Sequence, residues 1–257
     1  SDVGQAITVI DRDLLENRQN AFISDILADV PSVAVVRSGG PGAQSSVFIR
    51  GANSSQTLVL IDGVRINDPS SPNAAFDFGS LLTGNIDRVE ILRGPNSVVW
   101  GSQAIGGVVN VRTEVPTNDL AASASAQFGY QGTAEARANV SGTSGPIAGS
   151  LGASYFRTNG VSALAAGTER DGYRNFAANG KLAVTLNAAL SLDFRAYFTK
   201  GRAEFDDPFG ATPDTFPETR NRQFVGYAGV NARFWDGRFR NRLAYTRTDL
   251  HRVGTEP

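Results

Sequence analysis

The stretch IDRVEILRGPNSVVWGSQAIGGVVNV, Ile86 to Val111, decides how the rest of the chain is read. In Val89-Glu90-Ile91-Leu92-Arg93 apolar residues flank a carboxylate, and at Gly94-Pro95 the chain must turn, because proline fixes φ and donates no ladder hydrogen bond. Ser97 to Trp100 is predicted to run extended, the small residues from Gly101 to Gly107 to pass close to a neighbour, and Val108 to Val111 to resume a strand. Gly101 and Gly106 have the spacing of a phosphate loop. Gly107, however, stands where that loop needs lysine and Val108 where it needs a hydroxyl, so nothing is left to hold phosphates or magnesium. Glycines at crowded turns of a small sheet are the plain alternative.

The wording of this stretch resembles the end of the plug domain of TonB-dependent outer-membrane receptors. Two earlier passages are similar to the same family. Asp25-Ile-Leu-Ala-Asp-Val-Pro31-Ser-Val33 looks like its helix ending at a proline. Ser46-Val-Phe-Ile-Arg50-Gly51 through Leu58-Val-Leu-Ile-Asp62-Gly63-Val64-Arg65 looks like its central plug strands. Within the family the wording is most similar to members that import cobalamin (vitamin B12). The resemblance is carried by words over residues 6–113 and by pattern beyond them.

Composition narrows the function classes. The chain has 257 residues, 41% hydrophobic, with a formal net charge of -1 and no run of Lys or Arg, which argues against a nucleic-acid partner. It has no Cys, so disulfide and thiolate-metal sites are excluded, while the compartment stays open. Met is also absent, including at position 1, and the expectation is a chain that starts after processing or after a further upstream segment, with no signal peptide left to read. No apolar run approaches the ~18 residues of a membrane helix, whereas barrel strands only alternate and remain allowed.

Residues 1–115 read as a small α+β plug domain. Ala6 to Ile10 is a strand, Asp11 a possible N-cap, Asp13 to Glu16 helical, and a second helix carries Phe22, Ile26 and Leu27. Val33 to Val36 is a strand, Arg37 to Gln44 a loop, and Asp62-Gly63 a hairpin signal. Asn67 to Phe78 is a second loop with two aromatics, Phe76 and Phe78, that either pack on its base or face a ligand. Arg50, Glu90 and Arg93 lie in strand wording; they sit at a solvated sheet face or, as the resemblance implies, tie the plug to carboxylates on a barrel wall.

Residues 120–257 read as the N-terminal part of an antiparallel transmembrane β-barrel. Apolar residues recur with period two at Ala122 to Phe128, Leu190 to Phe198 and Phe224 to Phe234, with Asp193, Arg195, Asn231 and Arg233 on the opposite faces. A soluble sheet with one wet face shows the same alternation. The loops separate the two readings. Connections alternate, long at Arg157 to Arg174 and Lys200 to Arg222, short at Leu186 to Leu190 and Trp235 to Arg238, as in outer-membrane barrels, and Tyr155, Phe156, Phe198, Phe234, Trp235 and Tyr245 could supply the aromatic girdles. About seven strands of barrel size fit, a partial barrel, since plugged transporters use about 22.

His251 is the only histidine and no Gly-x-Ser-x-Gly elbow occurs, so the chain is not expected to be an enzyme. The expected function is an outer-membrane receptor for high-affinity uptake of a scarce solute, cobalamin or a related corrinoid first and a ferric siderophore second. The contrasting class is a soluble α/β binding domain fused to a β-sandwich. Ser38, Gln44, Asn73 and Phe76 on the two apical loops are the expected solute contacts, since polar groups beside an aromatic suit an amphipathic solute.

Glu169, Asp171, Asp206 and Asp207 are the expected ligands of a calcium ion, with acidic loops holding no ion as the alternative; cobalamin-importing relatives carry calcium-binding acids in corresponding loops. No organic cofactor is expected. The resemblance also implies the inner-membrane TonB complex as partner. An open sheet would leave edges near Ser123 and Tyr245 unpaired in lipid, so further barrel strands are expected from a continuation of the chain or from a second chain, with His251 to Pro257 opening an outer loop.

Overall fold

A computed structural model describes residues 6–67, 75–162, 170–205, 218–234 and 237–253. The first part contains β1 (Ala6–Asp11), α1 (Arg12–Arg18), α2 (Ile23–Ala28), β2 (Val33–Arg37), β3 (Ser45–Ile49), β4 (Thr57–Ile61), β5 (Val64–Arg65), β6 (Ile86–Arg93), α3 (Ser97–Trp100) and β7 (Gly107–Thr113). The second consists of β8 (Ala121–Phe128), β9 (Ala134–Ser144), β10 (Ile147–Thr158), β11 (Tyr173–Asn187), β12 (Leu190–Glu204), β13 (Glu218–Phe234) and β14 (Gly237–Val253).

The plug is built on a five-stranded sheet in the order β1-β6-β7-β4-β5, with β2 and β3 paired separately. β4 runs parallel to β7, from Thr57 opposite Gly107 to Ile61 opposite Val111. All five residues of β4 are buried, because both sheet faces are covered, which is why Thr57-Leu-Val-Leu-Ile61 does not alternate. One face packs Val59, Ile61, Val89, Ile91, Val109 and Val111 against Ile23, Ile26, Leu27 and Ile49. The other holds Leu58, Leu60, Ala104 and Val108. Asp11 caps α1 by accepting from the Leu14 amide at 3.0 Å. Asp62 and Gly63 have φ of 51° and 81° and join Ile61 to Val64 as a two-residue hairpin turn, as the Asp-Gly pair predicts.

Ser97 to Trp100 departs from expectation, forming a helical turn where Val98-Val99 suggested a strand. β6 and β7 pair directly, and the Gly94 amide donates to Gly106 O, so residues 95–105 are an excursion from one hairpin with no neighbouring strand to pair with. Asn96 closes its base through its amide to Ala104 O at 2.8 Å and its side chain to Gly94 O at 2.9 Å. The glycines serve close approach: a Cβ at Gly107 would lie 2.5 Å from Leu92 O and one at Gly106 would lie 2.7 Å from Ala52 Cβ.

β8 to β14 form one seven-stranded antiparallel meander in sequence order, with β8 and β14 at its edges. Among the described residues no helix is long and apolar enough to cross a membrane. The short turns 145–146 and 188–189 and the Phe234–Gly237 pair lie at one end of the sheet, and Thr158, Tyr173, Glu204 and Glu218 lie at the other. One face alternates outward with Leu151, Leu182, Phe194, Phe224, Leu243 and Tyr245 exposed. The other turns toward the plug and carries Asn139, Ser150, Ser154, Asn175, Asn179, Thr199 and Gln223, all buried. Phe156, expected in an outer girdle, belongs to this inner face and packs on Phe22 and Tyr173 at centroid distances of 5.2 and 6.0 Å. The side chains of Phe234 and Trp235 lie outside the described residues.

Gly107→Ala tests this packing. Its Cβ would press on the Leu92 carbonyl, which the β6–β7 ladder holds in place, so the plug should lose about 1–3 kcal/mol in chemical denaturation followed by near-UV circular dichroism. An unchanged midpoint would show that the two strands do not approach so closely.

Candidate functional site: the plug–wall interface and the apical pocket

The plug meets the wall through polar groups. Asn175 Nδ2 donates to Ser80 O at 2.9 Å, Asn221 Nδ2 to Ser80 Oγ at 3.0 Å, and Asn85 Nδ2 to Ala177 O at 3.3 Å. Ser150 Oγ donates to Glu114 O at 3.0 Å and Tyr173 OH to Gly79 O at 3.4 Å. Arg137 forms an ion pair with Glu16 at 3.3 Å.

The charged centre of the interface is Asp62. Its carboxylate accepts from the Thr113 amide at 3.1 Å and from Thr113 Oγ1 at 2.7 Å, and it pairs with Lys181 Nζ at 2.7 Å. Lys181 also donates to Thr113 O and Arg195 to Asp62 O, each at 2.7 Å. Arg195 is held by Asp193 and lies 4.6 Å over the Tyr227 ring. The Asp62 and Lys181 side chains retain 5% and 12% exposure, so the pair is only weakly screened.

Arg50, Glu90 and Arg93 find other partners. Glu90 pairs with Arg88 at 2.8 Å and Arg112 at 3.6 Å and accepts from Asn110 at 2.8 Å. Arg93 donates to Pro31 O at 2.9 Å. The Arg50 guanidinium lies over Gly94, where an added Cβ would be 2.9 Å from Nη1. Among the described residues, these contacts all stay within the plug. The plug–wall charges were missed in the sequence because Asp62 read as a turn residue, although Lys181 and Arg195 on the wet face of barrel-like strands are the available signal.

At the long-connection end a pocket of about 310 Å³ opens between the plug loop 38–44 and the tips of β11, β12 and β13. Ser38 and Gln44 both line it, closing the loop's base through the Ser38 amide to Gln44 O at 3.0 Å. Gly42, with φ of 79°, rests on Tyr173 so closely that a Cβ would come within 2.1 Å of the ring. Asp77, Asp171 and Glu204 line the same space. Asp77 braces the loop by accepting from the amides of Ser45 at 2.8 Å and Gly79 at 2.9 Å, and Glu204 accepts from Gly172 N at 3.3 Å.

Phe76, expected to contact solute, is instead 7% exposed and stacks edge-on against Phe78 at 4.9 Å in the core. Asn73, Glu169, Asp206 and Asp207 lie outside the described residues. Among the described residues no group of three His, Cys, Asp or Glu is arranged to hold a metal ion, and Asp171 is the only one of the four expected ligands within them.

A plug seated by polar contacts against the inner face of a barrel-type sheet defines the class by fold: a plug domain joined to part of an antiparallel barrel wall. Residues 1–108 match the model of the family described as TonB-dependent Receptor Plug Domain. The ferripyoverdine receptor of Pseudomonas aeruginosa is similar in fold, with a TM-score of 0.77 at 17% identity over 100% of this chain and 36% of that one. The siderophore receptor PiuA of Acinetobacter baumannii has a TM-score of 0.76 at 16% identity over 98% and 37%. A ferric enterobactin receptor variant of Pseudomonas aeruginosa, in complex with enterobactin, has a TM-score of 0.70 at 19% identity over 96% and 42%. The chain thus spans less than half the length of these structures.

Lys181→Ala should destabilise the plug–wall assembly by about 3–5 kcal/mol, since it leaves the Asp62 carboxylate buried without its cation. The double variant Asp62→Asn with Lys181→Gln should recover much of that loss. A loss in the double variant equal to the sum of the losses from changing each residue alone, measured by denaturant titration, would mean that the pair is uncoupled.

Proposed function

We propose that the chain is part of a TonB-dependent receptor that captures a scarce solute at the outer surface and releases it inward when the plug shifts. The observation carrying this reading is the apical pocket, where a glycine-rich plug loop and the tips of wall strands line one space beside the long connections. The inner-membrane TonB complex would drive the shift. The polar plug–wall contacts, which water could replace as the plug moves, suit such movement, and an enzyme reading has no comparable support.

An iron chelate is the better-supported solute. In its favour stand the receptors similar in fold, whose names specify ferripyoverdine, ferric enterobactin and siderophores. For cobalamin the support is the plug wording alone. A calcium ion held by Glu169, Asp171, Asp206 and Asp207 is a separate proposal resting on their spacing. Arg50 and Arg93 are proposed to face carboxylates on wall strands beyond the seven described here, with Glu90 beside them in the same plug–barrel contact.

Those further strands follow from the unpaired edges of β8 and β14, whose backbone groups would each cost several kcal/mol in lipid. We infer that they come from a continuation of the polypeptide or from a second chain. Unboiled protein from an outer-membrane fraction should migrate faster on a gel than boiled protein. Full solubility without detergent, or a monodisperse 257-residue species with no companion band, would count against closure and favour the α/β-plus-sandwich alternative.

Titration of the purified receptor with ferric catecholate and pyoverdine-type chelates should give saturable binding, and cyanocobalamin should not. Gly42→Ala should weaken chelate binding by about tenfold or more, because the loop must move off Tyr173. Saturable binding of cyanocobalamin alone would reverse the assignment. Repeating the titration with and without calcium reads the cation proposal, and identical affinity and melting would remove it.

A further inference from the structure

The register of the wall aligns basic residues that lie far apart in sequence. At the long-connection end, on the outward face, Arg157 stands opposite Arg174, Arg174 opposite Arg202, Arg202 opposite Arg220, and Arg220 opposite His251. The next row on this face runs Tyr155, Phe176, Lys200, Arg222 and Asp249. Below it come Phe198 and Phe224, then Leu151 and Tyr245, then Leu182, Phe194 and Leu243. Rows on one face are about 7 Å apart along a strand, so the surface passes from apolar to cationic within one or two steps.

Few of these charges are neutralised. Glu218 pairs with Arg202 and Arg220, Glu204 with Arg202 at 3.2 Å, and Asp249 with Arg247 at 3.1 Å. Among the described residues no ion pair reaches Arg157, Arg174, Lys200 or Arg222. Arg222 lies 6.0 Å from the Phe198 ring, and Asp249, opposite it in register, pairs with Arg247. Like charges directly opposite on adjacent strands destabilise a sheet, and while Glu218 bridges Arg202 and Arg220, the facing pairs Arg157–Arg174 and Lys200–Arg222 are a liability unless a further anion bridges them. A groove of about 440 Å³ runs along it, lined by Tyr155, Arg174, Phe176, Lys200, Arg202 and Arg220.

We propose that this row binds the phosphate groups of an anionic glycolipid of the outer leaflet. Guanidinium groups match phosphate oxygens in bidentate fashion, and a row spaced about 5 Å from strand to strand can engage more than one phosphate of one headgroup. The apolar rows immediately below offer the acyl chains a continuous surface, which a free phosphate would not use. The proposal rests on the outer-membrane reading and not on the solute. Gel migration tests the first separately, and chelate titration the second.

The full receptor in neutral detergent is titrated with a diphosphorylated glycolipid, with the same lipid dephosphorylated, and with inorganic phosphate, reading bound lipid by native mass spectrometry. The diphosphorylated lipid should bind at least about tenfold more tightly than either of the others, the difference expected of charge-assisted bonds to phosphate. The variant Arg157→Gln, Arg174→Gln, Lys200→Gln, Arg222→Gln should lose this preference, while Arg157→Lys with Arg174→Lys should keep part of it. Equal binding of the dephosphorylated lipid, equal binding of inorganic phosphate, or an unchanged preference in the glutamine variant would each overturn the proposal. Should that variant fail to assemble, the comparison of the two lipids on the unaltered protein decides.

Discussion

The ion pair between Asp62 and Lys181 is the point at which three parts of the molecule are fixed to one another. The two left-handed residues of the Asp62-Gly63 turn set where the carboxylate stands, Thr113 at the end of β7 binds it with amide and hydroxyl, and Lys181 reaches it from the wall. A buried pair of this kind adds little net stability, because desolvation offsets most of the attraction. It does determine position: any other placement of the plug leaves a carboxylate and an ammonium stranded in a water-poor interface. The seating of the central sheet, and with it the height of the 38–44 loop beside the wall tips, follows from that constraint.

Much of the fold was legible from local chemistry. The Asp-Gly turn, the Asp11 cap, the β6–β7 strands and the alternation of long and short connections each depend on neighbours close in sequence, and each stands where expected. Ser97 to Trp100 was misread because two adjacent valines suggest a strand only when a partner strand is available, and none lies beside them. Phe76 and Phe156 were misplaced for a related reason. An aromatic in a polar loop or at a strand end gives no sign of which side it faces until the neighbouring element is known.

The candidate sites were legible in part. Ser38 and Gln44 could be named because glycine and polar residues concentrate between them, and their loop does line a pocket. Glu204 escaped notice because an acid near a strand end reads as solvated. The arginine row was invisible for a different reason: its members are scattered along the chain, and only the register of four strand pairings brings them level. Period-two reasoning assigns each residue a face but never a height.

Most of the wall's hydrogen bonds to the plug end on main-chain oxygens, those of Asp62, Gly79, Ser80, Thr113 and Glu114. A carbonyl oxygen is the same whatever side chain its residue carries. At Glu114 the wall's bond therefore places no demand of its own on the plug side chain, whereas Gly79 is held by the Ala43 carbonyl, 2.3 Å from an added Cβ, Ser80 by the Asn221 bond to its Oγ, and Asn175, Lys181 and Arg195 on the wall supply the donors themselves. Mutational tolerance should be greater where the plug offers only a carbonyl than where the wall supplies the donor.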